Sequence, residues 1–210
     1  MSSTSIDELI ELLQRGSAAA AYEAIGKQGD MSTDIRALVP GVMCVGPAFT
    51  IKAHPHRAGA IAASMDKVAK GSVVVIDVGY DAGTCAWGGT GALAAQIAGI
   101  AGCVTNGHIR DIAEIRHLNF PMFALGSTVR GGRKEAAAEC GVPVSVGGQV
   151  VCPGDLICAD DDGVVVIAQR HFGTLAERLQ LRLAFEREAD TLVRQGVPYA
   201  QAVAGKPAFD

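Results

Sequence analysis

The chain has 210 residues, a formal net charge of −4, and 49% hydrophobic against 19% charged residues, so its length suits a single domain and its apolar content excludes a disordered chain. The negative charge removes the electrostatic attraction on which non-specific nucleic-acid binding depends, so we expect no DNA or RNA partner. The sequence has no apolar run of the roughly 18 residues that span a membrane and no signal-peptide pattern at its start, so we expect a cytoplasmic protein with no membrane partner.

Helices are predicted at the start of the chain. Apolar residues at helical spacing predict a helix over residues 6–13, with Ser5 as its N-cap, and a second helix over 18–25. Both lie inside an N-terminal helical region of residues 5–30. A further helix is predicted over 58–69.

The central strands are β-branched and apolar. Residues 72–78 form a continuous run of this kind, which predicts a strand buried on both faces, and 102–105 predict a second short buried strand. Residues 42–51 also favour β-structure. They contain Gly46-Pro47, which is typical of a bent strand or of an edge strand.

The segments between these strands predict repeated β-α-β units. A glycine-rich loop over 79–88 and a small-residue helix over 91–100 join the two buried strands, which implies a parallel pair with a right-handed crossover. A short helix over 111–118 and a strand over 121–125 predict a second unit.

After residue 142 the pattern changes to short strands separated by glycine and proline, which is typical of hairpins. A turn over 160–163 joins the last two strands, and a long charged helix is predicted from about 172 to 194. The sequence therefore predicts one α/β domain over residues 1–210, with its core over 40–168 and no internal repeat or linker. The four strands are expected over residues 142–146, 149–152, 155–158 and 164–168.

A glycine turn stands between the first unit's loop and its helix. Its residues are Gly88, Gly89, Thr90 and Gly91. Unpaired backbone amides and the positive end of a helix favour a carboxylate or phosphate there. The alternative is that the glycines only reverse the chain, because positive φ angles require glycine anyway.

A second feature is the pair Arg110 and Asp111, placed where a buried strand gives way to a helix. Asp111 could simply complement the dipole of its own helix, with Arg110 as its surface partner. However, ligands bind at the carboxyl ends of parallel strands, and the glycine turn follows the neighbouring strand. Anion-binding amides, a guanidinium and a metal ligand could therefore converge on one keto acid.

At these residues the chain resembles the class II pyruvate aldolases of the regulator-of-ribonuclease-activity-A-like superfamily, which cleave 4-hydroxy-4-methyl-2-oxoglutarate and 4-carboxy-4-hydroxy-2-oxoadipate. The resemblance covers most of the chain, its segments keep the same order, and the spacing from Gly88 to Asp111 also matches. They are residues 46–50, the strand that ends at Asp77, 87–88 with the following helix, 99–104, 107–111, 121–124, 153–155 and 161–164.

The resemblance implies a role for each site residue. The amides of residues 88–91 would hold the substrate carboxylate, and Arg110 would bind the carboxylate and the keto oxygen. Asp111 would hold Mg²⁺ or Mn²⁺. A glutamate on the C-terminal helix of an adjacent subunit would reach the metal through water; Glu186 matches best, with Glu188 as the alternative.

The resemblance also implies the reaction and the assembly. The fold would be a swivelling β/β/α-type sandwich that forms a ring-shaped homotrimer or a hexamer of stacked rings. Retro-aldol cleavage leaves a pyruvate enolate, whose charge the metal and Arg110 would stabilise. A metal-activated water is the expected base because no side chain is an obvious one. Oxaloacetate decarboxylation gives the same enolate and is expected too.

Two positions depart from the family pattern. The family often has an acidic residue where this chain has Gly89, and another where it has Asn106. Loss of one such carboxylate is expected to weaken metal binding roughly 10- to 100-fold without abolishing it.

Other polar residues have simpler explanations as well as functional ones. His54 and His56 could bind a metal but are expected in an exposed turn, and His108 could line the pocket or be a satisfied loop histidine. The basic cluster 130–134 could attract an anionic substrate tail or be a solvated loop. The scattered cysteines are expected to be buried free thiols; they are Cys44, Cys85, Cys103, Cys140, Cys152 and Cys158.

Two other functions remain open. Residues 77–83 faintly resemble the nucleotide loop of S-adenosylmethionine-dependent methyltransferases, although the helix that should follow at once is delayed by 84–88. A non-catalytic protein that regulates a ribonuclease is the other alternative, since one branch of the resembled superfamily acts in this way. The presence of Arg110 and Asp111 favours the aldolase branch over it.

Overall fold

A computed structural model describes residues 4–53, 62, 64–79, 83–132 and 138–209. The helices are α1 (Ile6–Gln14), α2 (Ala18–Ala24), α3 (Gly89–Ile97), α4 (Ile112–Leu118), α5 (Phe172–Arg194) and α6 (Tyr199–Ala202). The strands are β1 (Arg36–Ala37), β2 (Cys44–Ala53), β3 (Val73–Asp77), β4 (Cys85–Trp87), β5 (Gly102–Thr105), β6 (His108–Ile109), β7 (Met122–Ala124), β8 (Gly126–Ser127), β9 (Ala138–Cys140), β10 (Val144–Val146), β11 (Gln149–Val151), β12 (Leu156–Asp160) and β13 (Gly163–Ile167).

The main sheet has the strand order β1-β7-β5-β3-β2-β12-β13, and β9 pairs with the last residues of β2. Strands β2, β3, β5 and β7 run parallel, as the predicted β-α-β units require. β12 and β13 continue the sheet as an antiparallel hairpin. The end strands β1 and β13 contact each other, so the sheet curls almost into a barrel.

Strand β3 shows how the sheet is buried on both faces. Val74 and Ile76 pack in the layer that contains α3 and α4, whereas Val73 and Val75 pack on the opposite face with the β10–β11 hairpin. Successive side chains of a strand point to opposite faces, so an unbroken β-branched run fills both layers. A third apolar cluster joins α1, α2 and α5 to the β12–β13 end of the sheet.

The predicted helical ends of the chain are confirmed. Ser5 caps α1 with a capping box, in which its hydroxyl accepts from the Glu8 amide at 3.2 Å and its own amide donates to the Glu8 carboxylate at 2.8 Å. The long C-terminal helix α5 has the predicted bounds. Among the described residues no helix is long and apolar enough to cross a membrane.

Three sequence-based predictions differ from the structure. β2 is not an edge strand: Pro47 is the last residue paired with β12, and pairing with β3 starts at Ala48, so the residue without an N–H lies where the partner changes. The described part of the helix expected over 58–69 is a 3₁₀ turn, Met65–Lys67; residues 54–61 and 63 lie outside the described residues. The segment 79–88 was predicted to be loop throughout, but it includes β4.

The close approach of two backbones at Gly46 gives a test of this packing. A Cβ at residue 46 would overlap the carbonyl oxygen of Gly71, so we expect Gly46→Ala to lower the free energy of unfolding by roughly 1–3 kcal/mol. Gly173→Ala is the control, because nothing lies within 4 Å of its Cβ position and it is in a helix; its stability should be unchanged or raised by up to about 1 kcal/mol. Urea unfolding measures both. Equal stability of the two variants would contradict the packing described here.

Candidate functional site

Two short parallel strands bring the predicted site residues together. β4 pairs with β6, with Cys85 opposite His108 and Trp87 opposite Ile109. The amide of Arg110 then donates to the carbonyl oxygen of Trp87 at 3.0 Å. Because parallel strands end at the same edge, the chain leaves β4 at Gly88 and leaves β6 at Arg110 side by side.

The glycine turn contacts Asp111 directly. The Gly89 amide donates to Asp111 Oδ2 at 3.0 Å. A Cβ at residue 88 would lie 2.8 Å from the same oxygen and 3.3 Å from Arg110 Nε. Gly88 is therefore required for this close approach, and the glycine turn does more than reverse the chain.

The Arg110 and Asp111 side chains form a loose pair beside this turn. Arg110 Nε lies 3.5 Å from Asp111 Oδ2, and the two side chains are 50% and 40% exposed. Such an exposed pair contributes at most about 1 kcal/mol to stability. Asp111 Oδ1 has no hydrogen-bond partner in the described part of the chain, so one carboxylate oxygen is available to a ligand.

The N-terminus of α3 offers backbone donors at the same place. Gly88 is the N-cap and provides no side-chain cap. Within the described ranges, the amides of Thr90 and Gly91 have no acceptor, whereas the Ala92 amide already bonds to the Gly88 carbonyl. Free amides at the positive end of a helix favour an anionic group, and a carboxylate is the simplest such group.

Asp111 has an unusual backbone conformation. Its φ of 60° and ψ of 37° place it in the left-handed region, which aspartate tolerates better than most residues. It is the N-cap residue of α4, yet its side chain makes no bond to that helix and instead accepts the Gly89 amide of α3. Asp111 therefore contacts α3 in addition to any effect of its charge on the dipole of its own helix.

Open clefts flank this group on both sides. One, of about 380 Å³, is lined by Arg110 and Asp111 together with Ser127 and Thr128. The other, of about 490 Å³, lies between α3 and α4 and is lined by Thr90, Glu114 and neighbouring residues. A small acid could reach the site from either side.

A side chain at residue 89 would displace the Glu114 carboxylate from its present position. A Cβ there would overlap Glu114 Oε2 and would lie 3.2 Å from the Asp111 Cβ atom. The family often has an acidic side chain at position 89. In this chain the Glu114 carboxylate, from α4, occupies the corresponding space. Glu114 was not predicted from the sequence, because a glutamate on a helix is usually an ordinary surface charge.

The second departure, Asn106, has a structural explanation. Its side-chain NH₂ donates to Asp77 Oδ1 at 2.8 Å, and its Oδ1 accepts the Val78 amide at 2.9 Å. Asp77 Oδ2 also accepts the Ser145 amide, which ties the end of β3 to β10. An acidic residue at 106 would set two carboxylates against each other, so this network requires the amide.

Glu186 pairs with Arg182, one turn earlier on the C-terminal helix α5. Glu186 Oε1 accepts from Arg182 Nε at 2.8 Å and lies 2.7 Å from the second guanidinium nitrogen, NH2. Glu188 is exposed. Contact of either residue with the site of an adjacent subunit stays a prediction.

Several other candidates have limited roles in the described structure. His108 is half-buried in β6. Arg130 is exposed, and its carbonyl oxygen accepts the Cys85 amide at 2.8 Å, which anchors the loop beside β4. His54, His56, Arg133 and Lys134 lie outside the described residues.

The cysteines are free thiols, as predicted. Four are buried, and Cys140 and Cys152 are half-buried. Burial, followed by the nearby Asp160 carboxylate, raises the pKa of Cys158 to about 12, and burial also raises the pKa of Cys44 and Cys103. These three thiols are therefore protonated at neutral pH and are poor nucleophiles.

Comparison with known proteins gives the family. The sequence model described as "RraA-like: Aldolase/RraA" matches residues 17–166, a segment that holds the whole of the site around Gly88 and Asp111. The chain belongs to the Aldolase/RraA family. Its predicted family and α/β fold are thereby confirmed, while α5 lies beyond the matched segment.

Individual members of the family carry different names. A "Putative 4-hydroxy-4-methyl-2-oxoglutarate aldolase" of Halalkalibacterium halodurans is 34% identical over 173 residues, which are 82% of this chain and 80% of that protein. The structure of an uncharacterized protein from Pseudomonas syringae superposes with a TM-score of 0.83. The two sequences are 26% identical, and the match covers 96% of this chain and 99% of that protein. The RNA-processing inhibitor RraA from Thermus thermophilus has a TM-score of 0.65 at 25% identity, covering 72% and 92%.

The left-handed conformation of Asp111 predicts an unusual order of stabilities. Asp111→Gly should be more stable than Asp111→Ala by about 1 kcal/mol, because both lose the bond to Gly89 and only alanine is strained at positive φ. Urea unfolding of the two variants measures the difference. At the exposed helical Asp190 the order should reverse, with glycine less stable than alanine by about 1 kcal/mol. Alanine equal to or better than glycine at 111 would contradict the strained conformation.

Proposed function

We propose that this chain is a divalent-metal-dependent carbon–carbon lyase that cleaves a 4-hydroxy-2-oxo diacid to pyruvate and a second oxo acid. The main support is that three groups lie against the turn at Gly88 and Gly89: the Asp111 carboxylate, the Arg110 guanidinium and the free amides of α3. A small 2-oxo acid has the complementary groups, a carboxylate beside a keto oxygen. Oxaloacetate decarboxylation is a further activity expected of the same site.

The backbone of α3 would bind and orient the substrate. The amides of Thr90 and Gly91 donate to the 1-carboxylate, at the positive end of the helix. Fixing this carboxylate holds the adjacent keto group next to Arg110. Orientation of this kind lowers the barrier because the reacting bond is held in place before it breaks.

Arg110 would stabilise the charge that develops as the carbon–carbon bond breaks. Cleavage moves an electron pair toward the keto oxygen, and a guanidinium at that position offers planar, paired N–H donors. The Arg110 side chain is half-exposed, and among the described residues its one ion pair is the 3.5 Å contact of Nε with Asp111, so its outer nitrogens are available to a substrate. A lysine at this position would keep the charge but lose the paired donors.

Asp111 would hold the metal ion, Mg²⁺ or Mn²⁺. The donor chemistry fits, because carboxylate oxygen is the ligand that these ions prefer and magnesium usually keeps several waters. Among the described residues no group of three or more His, Cys, Asp or Glu side chains could form a complete cage. When bound, the ion supplies Lewis-acid stabilisation of negative charge on the substrate oxygens.

Self-association would complete this site. We include in the proposal the homotrimer or hexamer that the family resemblance implies, with Glu186 of an adjacent subunit reaching the water ligands of the metal. In the isolated chain Glu186 is paired with Arg182. Glu186 therefore has to leave this pair, or share it, when it acts across a subunit boundary.

Regulation of a ribonuclease is the second candidate function. Its support is the similarity to the Thermus thermophilus RNA-processing inhibitor. A protein that acts only by binding a partner does not require free amides, a guanidinium and an aspartate in a left-handed conformation to lie together at the Gly88 turn. The methyltransferase alternative is tested by binding of labelled S-adenosylmethionine.

The proposed reaction can be measured by coupling pyruvate release to lactate dehydrogenase and NADH. With Mg²⁺ present, we expect turnover of 4-hydroxy-4-methyl-2-oxoglutarate or a related diacid, and its loss on chelation. Asp111→Ala and Arg110→Ala should each lower kcat by roughly 10²–10³-fold, because each removes one group that stabilises transition-state charge. Arg110→Lys should retain part of the activity.

The control for these variants is Glu177→Gln, which changes an exposed glutamate on α5 and should leave turnover unchanged. Wild-type protein that releases no pyruvate from any 4-hydroxy-2-oxo acid, with either metal, would overturn the proposal. Inhibition of a ribonuclease by both the wild type and Asp111→Ala, without turnover, would favour the second candidate.

A further inference from the structure

Glu114 and Asp111 both belong to the N-terminal end of α4. Asp111 is the N-cap of this helix and Glu114 is the third residue of its first turn. Both approach the backbone of Gly89: Asp111 Oδ2 accepts its amide at 3.0 Å, and Glu114 Oε2 occupies the space where a side chain at 89 would begin. Two carboxylates thus meet at the first residue of α3.

A second carboxylate favours the binding of a divalent cation at this site. Asp111 already faces Arg110 Nε at 3.5 Å, so this pair together carries no net charge. The positive end of α3 adds a further unfavourable contribution for a cation. Glu114 brings the sum of the formal side-chain charges to −1, which offsets the positive helix end and makes a divalent ion more favourable beside Asp111.

Glu114 lies in the first turn of α4, where its charge complements the helix dipole, but no side-chain bond among the described residues fixes its position. It is exposed, and in the described ranges it forms no hydrogen bond or ion pair with another side chain. It lines the cleft of about 490 Å³ with Gly89 and Thr90, so its carboxylate faces space that water and a ligand can enter. A surface charge without partners contributes little to the stability of the fold.

We propose that Glu114 is a positioning residue for the divalent cation: its carboxylate holds water ligands of the ion that Asp111 binds, and so takes the part that the family's acidic side chain would play at residue 89, which is glycine here. This inference rests on the proposed metal-dependent function. Outer carboxylates of this kind orient metal ligands, and their loss costs roughly 10- to 100-fold in metal affinity.

The test measures Mn²⁺ binding without substrate, from the electron paramagnetic resonance signal of free Mn²⁺. Glu114→Gln keeps the size of the side chain and removes its charge, and we expect it to weaken Mn²⁺ binding roughly 10-fold. Glu177→Gln is the matched control and should bind Mn²⁺ as the wild type does. Urea unfolding should show equal stability for the two glutamine variants, which separates loss of binding from loss of folding.

A relocated carboxylate gives the decisive comparison. In Gly89→Asp/Glu114→Ala the overlap with Glu114 Oε2 is gone, and the remaining neighbours of the new Cβ, at 3.2 and 3.3 Å, need to move by a few tenths of an ångström. Residue 89 is the first residue of α3 and has no positive φ, so aspartate is favourable there. We expect this double variant to recover most of the Mn²⁺ affinity that Glu114→Ala loses.

The outcomes separate this proposal from the function on which it rests. Wild-type affinity in Glu114→Gln, or no recovery in the double variant, would overturn the role of Glu114. Mn²⁺ binding by the wild type without pyruvate release would overturn the aldolase and leave the Glu114 comparison standing. Absence of Mn²⁺ binding in the wild type would overturn both.

Discussion

The candidate site depends on the parallel pairing of β4 and β6. These strands contain three and two residues, yet their register fixes Gly88 beside Arg110, and the bond from the Arg110 amide to the Trp87 carbonyl locks the two chain exits together. Without this pairing, the glycine turn and the Arg110-Asp111 pair would be separate surface features. The larger sheet supports the pair from below, since β3 and β5 lead into the two loops from adjacent positions.

The same pairing explains why the Asp111 backbone is in the strained left-handed region. Asp111 connects the end of β6 to the start of α4, and its carboxylate contacts a different helix, α3. The left-handed conformation of Asp111 allows both. Strain of about 1–3 kcal/mol at such a position persists only where the surrounding structure enforces it. Here the surroundings are the Gly88 turn on one side and α4, anchored by buried Ile115, on the other. A carboxylate placed in this way contacts the first residue of α3, whereas an ordinary cap would bond to its own helix.

The sequence predicted the parts of the fold whose signals are long or strongly apolar. The β-branched run of β3, the buried β5 and the 23 residues of α5 were all identified. β4 and β6 were missed because two or three residues show no periodicity. Of the two alternatives for β2, a bent strand or an edge strand, the edge strand is wrong, because the sequence around Pro47 does not reveal the change of partner there. The Arg110-Asp111 pair was found from its place after a buried strand. Glu114 could not be found in this way, since its contact with Gly89 depends on how α3 and α4 pack.

The overlap at residue 89 also constrains how this chain can diverge. An acidic side chain gained at 89 would displace the Glu114 carboxylate and add a like charge beside it, and loss of Glu114 leaves the site with one carboxylate fewer. The two exchanges together give an equivalent arrangement. Positions 89 and 114 are expected to change as a linked pair during evolution. A library of single substitutions will not contain the alternative arrangement, with an acidic residue at 89 and none at 114.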